Sequence, residues 1–178
     1  MSGSYLESLL KAVPCGIMST SKHYIMEGEV KKTTFCTYNI KGYDSVAAAA
    51  IKEIMPNCSF LLLQETWKYE KEFINKVKTD FIDYPYECIS ANKNDLRELH
   101  VGNVRGGTSI CYHSNTNCII ETIPTKSKCF CAQKIKIGQI SLLLINVYMP
   151  CSNDNDSLDE YAEIILEVSS VCLLNIVD

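Results

Sequence analysis

The stretch FLLLQETWK, residues 60–68, decides the fold. Four apolar residues, Phe60 to Leu63, run without interruption into Gln64, Glu65 and Thr66, and then comes the only tryptophan of the chain, Trp67. A short run that is apolar on both faces is what a central strand covered on two sides requires. A carboxylate at the end of such a strand calls for water, a partner or a ligand.

Working upstream, KTTFCTYNI (32–40) gathers β-branched and aromatic residues before the turn signal KGYD, and reads as a first strand. Asp44 or Ser45 can cap a helix through VAAAAIKEIM, which Pro56 stops. Strand, helix, strand favours a parallel pair, and in such sheets functional groups gather at the carboxyl ends of the strands. Asn39 and Glu65 both stand at that edge, so adjacent strands would bring them to one crevice.

Downstream, KYEKEFINKVKTDF (68–81) reads as an amphipathic helix with Phe73 and Val77 on one face. Period-2 segments follow: YECISA, GTSICYH, NCIIETI, CFCAQKIKI and QISLLLINVYMP, with a polar loop from Asn92 to Arg105 and a turn at Gly138. Ser157 and Glu160 have the form of a capping box, and Leu158, Tyr161, Ile165, Val168 and Cys172 follow as a helical stripe. The expectation is an α/β protein, with a mixed β-sheet and flanking helices. Residues 1–30 lack a sustained period and are expected to form a loosely structured leader, with one domain over 31–178.

Composition bounds the function. With 47% hydrophobic and 21% charged residues, the chain has the balance of a globular domain and not of a disordered one. No apolar run is long enough to span a bilayer and the first thirty residues hold no signal-peptide core, so an intracellular protein, cytoplasmic or nuclear, with no membrane partner is expected. Of the formal charge of −4, residues 151–178 carry −7, leaving residues 1–150 at +3, compatible with a polyanionic substrate and equally with a mixed solvated surface. Ten cysteines show no CxxC spacing, and with His23, His100 and His113 they complete no zinc pattern; reduced, mostly buried thiols are expected.

TYNIKG after a strand, LLLQETW after a helix, RGGTSICY opening a strand and LLLINVYMPC closing another together resemble the endonuclease/exonuclease/phosphatase superfamily. The endonuclease domain of non-LTR retrotransposons looks closest, through RGGTSICY, the KIKIGQISLLLINVYMP hairpin and the SNDNDSLDEYAEIILEV helix. The resemblance covers residues 33 to about 175. It implies a Mg²⁺-dependent endonuclease, with Mn²⁺ as a substitute metal, that nicks DNA by cleaving a phosphodiester. By similarity Glu65 and Asn39 would hold the metal, Asn39 and Tyr148 would act on the phosphate, and Lys41 and Arg105 would contact backbone phosphate, beside the plainer reading of both as surface cations.

The chain departs from the family at two catalytic elements, and more mildly where Phe35, Cys36 and Tyr38 replace the usual Ser-Trp lead-in. The family's GDFN strand and its Asp-His pair occur nowhere in the 178 residues. The resemblance therefore implies an incomplete form of the four-layer α/β/β/α sandwich, an amino-terminal part with one sheet and its helices. A sheet face left uncovered, at ~25 cal/mol per Å², would cost more than the ~5–15 kcal/mol by which domains are stable. A poorly stable chain with weak or no activity is then expected. The alternatives are a non-enzymatic relic or interaction module, and a phosphatase or exonuclease member of the same superfamily. The sequence leaves oligomeric state and any following reverse transcriptase open.

Overall fold

The computed structural model describes residues 33–83, 86–90, 106–127, 129–149 and 156–175. The leader expected over residues 1–30 lies outside them, as does Arg105. Strand β1 (Phe35–Asn39) leads through helix α1 (Ser45–Ile54) and a 3-10 turn (Met55–Asn57) to β2 (Phe60–Gln64). Helix α2 (Glu70–Asp80), β3 (Tyr86–Ser90), β4 (Thr108–His113), β5 (Ile119–Ile123), β6 (Phe130–Ile137), β7 (Ile140–Val147) and α3 (Asp156–Asn175) follow.

The strands form two sheets. The first has the order β1-β2-β4-β3, with β1 and β2 parallel and the other pairs antiparallel. The second, β5-β6-β7, is antiparallel throughout. The expectation that the chain supplies one sheet with an open face is corrected here, because β5 to β7 turn over and face the first sheet instead of extending it. The result is a mixed α/β sandwich with helices outside two facing sheets.

Alternation along the strands explains three apolar layers. Leu61, Leu63 and Cys111 pack with Ala47, Ala48 and Ile51 of α1 and Phe73 and Val77 of α2. Phe60, Leu62 and Ile110, on the opposite face, meet Cys131 and Ile135 of the second sheet. Phe130 and Ala132, on the far face of β6, pack on Ile164 and Val171 of α3.

Helix α1 starts where Asp44 Oδ1 accepts from Val46 N and Ala47 N at 2.9 and 2.8 Å, so Asp44 and not Ser45 is the cap. Helix α3 corrects the expected stripe. It begins at Asp156, one residue before Ser157, and turns Ile164, Val168 and Val171 inward while Leu158 and Ile165 are 63% and 57% exposed. Contacts outside the helix set that rotation: Glu167 accepts from Lys126 N and Ser127 N at 2.6 and 3.1 Å, and Glu160 lies against the Cys129 thiol.

The thiol expectation is corrected at one pair. Cys88 and Cys111 stand directly opposite each other on β3 and β4 and are joined by a disulfide. Cys36, Cys58, Cys118, Cys129, Cys131 and Cys172 are not disulfide-bonded. Among the described residues no helix is long and apolar enough to cross a membrane.

Candidate functional site

The carboxyl ends of β1 and β2 meet in register, Asn39 opposite Gln64, which puts Glu65 one residue beyond the ladder. There Asn39 Nδ2 donates to Glu65 Oε1 at 2.5 Å. The Asn39 Oδ1 accepts from Lys41 N at 3.1 Å, so one amide side chain both closes the turn after β1 and holds the carboxylate. Both residues are half-buried.

The backbone around them is held in uncommon conformations. Among the described residues, the non-glycine positions with positive φ are Lys41 (48°), Glu65 (53°) and Trp67 (50°), all at this edge. Such residues persist only where the surroundings over-determine them. Segment 65–67 is bonded on both sides: Gly42 N and Tyr43 N donate to Glu65 O and Thr66 O at 2.7 and 2.9 Å, while Thr66 N and Trp67 N donate to Gly107 O and Gly106 O at 3.2 and 3.0 Å. Gly42, at φ 103°, lies under the Trp67 indole so closely that a Cβ there would sit 2.7 Å from Cε3.

Tyr148 reaches the same edge from the second sheet. It follows β7, its N–H donates to Cys129 O at 2.8 Å, and its ring lies over Gly106, where a Cβ would meet Cε1 at 3.8 Å. Gly106 is in turn the backbone partner of Trp67. The structure thus brings Asn39, Glu65 and Tyr148 to one edge, with Lys41 exposed beside them.

Beneath this edge lies a polar cluster that sequence reasoning did not single out. Gln64 Nε2 donates to Thr37 Oγ1 at 2.8 Å and to Asn146 Oδ1 at 2.5 Å, and Asn146 Nδ2 donates to Leu63 O and Ser109 O, both at 2.8 Å. Its signal in the sequence is a lone amide at the end of each apolar run, FLLLQ and SLLLIN.

With this geometry the chain can be set against solved structures. It is similar to the AP endonuclease of Leishmania major at 12% identity and a TM-score of 0.53, over 90% of this chain and 56% of that one. The chain shares the fold of an AP endonuclease. It spans 56% of the length of that endonuclease chain, and the α/β sandwich is what the two have in common. No protein-family model matches the sequence, and no curated protein does. Among the described residues no three His, Cys, Asp or Glu side chains cluster as metal ligands.

Proposed function

We propose that this edge is the metal- and phosphate-binding part of a Mg²⁺-dependent phosphodiesterase site acting on DNA, of the retroelement endonuclease type whose sequence pattern the chain resembles. The observation that carries the reading is the 2.5 Å contact between Asn39 Nδ2 and Glu65 Oε1 at the ends of two parallel strands. The donor set fits Mg²⁺, or Mn²⁺ in its place. One Glu65 oxygen is fixed by Asn39, the other takes no hydrogen bond among the described residues, and Mg²⁺ commonly keeps several waters beside one or two carboxylates.

When bound, the metal supplies charge neutralisation at the phosphate and at the departing oxygen. Asn39 orients the carboxylate and turns its own oxygen toward the Lys41 amide. The Tyr148 hydroxyl hydrogen-bonds the scissile phosphate as charge develops. Lys41 meets backbone phosphate, and Arg105 is assigned the same task from sequence alone.

Neither GDFN nor an Asp-His pair occurs within the 178 residues, so the reading assigns no general base among them and is confined to the metal- and phosphate-binding part. The alternative reading is a relic or interaction module that binds DNA or another partner without cutting. A phosphatase or exonuclease member of the superfamily would use the same edge on a different phosphoester.

The test combines Mn²⁺ quenching of the single tryptophan with nicking of supercoiled plasmid in Mg²⁺. Slow, metal-dependent nicking that Glu65→Ala abolishes together with the quenching is the expected result. Equal nicking and quenching in wild type and Glu65→Ala would overturn the assignment. Metal and DNA binding without nicking at any protein concentration would select the interaction module.

A further inference from the structure

The residues at the candidate site come from different sheets, and at the site itself the Tyr148 ring meets the first sheet's edge by non-directional packing over Gly106. Glu65 and Asn39 belong to the first sheet, and Tyr148 leaves the second. Two packed sheets can slide by a fraction of an ångström on an aliphatic interface, because dispersion and burial are not directional. A directional link fixes them more firmly than packing alone.

Asn146 supplies one. It is 2% exposed, lies in β7 two residues before Tyr148, and its amide is engaged at both ends. Its Nδ2 bonds the carbonyls of Leu63 in β2 and Ser109 in β4, and its Oδ1 accepts from Gln64, which also bonds Thr37 in β1. The contacts fall at one level of the sandwich. Thr37 is two residues before Asn39, Gln64 is one before Glu65, Ser109 is three after Gly106, and Asn146 is two before Tyr148. Strands β2 and β4 bond the Asn146 amide directly, and β1 reaches it through Gln64.

We propose that Asn146 is a positioning residue whose buried amide locks the second sheet to the first and so sets the separation of Tyr148 from Glu65. The role of the separation rests on the proposed function, whereas the lock itself does not. Bonding two backbone carbonyls and a second amide makes the link directional, and low dielectric makes its loss costly. Leucine at this position keeps the branched shape, is somewhat larger, and removes all three bonds.

The test uses two readouts in the whole chain, for wild type, Asn146→Leu and Gln64→Leu. The first is metal-independent, the nuclear Overhauser contact between Gly106 and the Tyr148 ring, assigned with Tyr148→Phe. The second is paramagnetic broadening of the Tyr148 ring by Mn²⁺. In folded Asn146→Leu the Overhauser contact is expected to vanish and the broadening to fall severalfold, while Mn²⁺ quenching of Trp67 stays within twofold. Gln64→Leu keeps the two carbonyl bonds of Asn146, so it should weaken both signals partially.

If Asn146→Leu fails to fold, Gln64→Leu decides alone. An undiminished Overhauser contact in a folded variant overturns the proposal. Should Mn²⁺ fail to bind wild type, the metal reading is lost, and the Overhauser contact still decides whether Asn146 locks the sheets.

Discussion

The two sheets are built to different standards. In the first, β2 is buried along its length, both faces are covered, and the helices outside it insert Phe73 and Val77, at 0% and 3% exposure. In the second, only β6 is buried throughout most of its length. Strand β5 is largely exposed, β7 is half-exposed, and α3 leaves Leu166, Leu173 and Leu174 in solvent. The difference teaches where the site draws its rigidity. The carboxylate and amide stand on a well-covered sheet, and Tyr148 hangs from a thin one.

Substitutions can break that contrast. The largest effect is expected from Phe73→Ala, which empties a fully buried position between α2 and β2 and should cost about 3–5 kcal/mol in urea unfolding. Leu173→Ala, on the exposed face of α3, should stay within about 0.5 kcal/mol. Comparable losses at the two positions would show that the second sheet is as tightly covered as the first.

Next in size is Gly42→Ala. The added methyl meets the Trp67 indole at a φ of 103°, and a loss of about 1–3 kcal/mol with a shifted tryptophan emission is expected. An unchanged emission would mean that the turn does not press on the ring.

The second sheet also contains an opportunity for gain. Gln133 is fully buried in β6, and neither end of its amide has a partner among the described residues. Gln133→Leu should stabilise by about 1–3 kcal/mol, measured by the same unfolding experiment. Destabilisation would show that the amide is satisfied in solution.

The smallest effect is set by pH. Burial, with the Glu87 carboxylate second, pushes the Tyr112 hydroxyl up to about 12, and burial followed by Asp80 also raises Tyr43. An unfolded tyrosine titrates near ~10. Below that pH both states keep the proton and the stabilisation is complete. As pH rises toward about 12 the unfolded chain loses its proton first, so stability falls. Tyr112→Phe should flatten the decline in alkaline unfolding midpoints, and an unaltered slope would assign it elsewhere.

How far the sequence could be read follows the same division. Strands β1 and β2, helices α1 and α2 and the parallel pairing were legible because local signals agreed: an unbroken apolar run, an Asp cap, a Pro stop, and Phe73 four residues before Val77. The meeting of Asn39 and Glu65 followed from that pairing. Separation into two sheets was not legible, since alternation shows that a strand has two faces but not which sheet it joins. Helix α3 was misrotated for a related reason. Leu158, Ile165 and Leu166 make it apolar nearly all round, and its orientation depends on Glu160 and Glu167 meeting groups on a distant loop. Asn146 and Gln64 escaped notice because they are 82 positions apart in the chain and each looks like an ordinary strand-end amide.

Strand β7 has a practical consequence. Its sequence ISLLLINV is aliphatic on both faces, and among the described residues its strand ladder is with β6 alone. Among the described residues the other edge pairs with no strand, and its sequence carries no lysine or proline to discourage an approaching chain. Protein concentration, more than temperature, should govern how long a purified sample stays monodisperse.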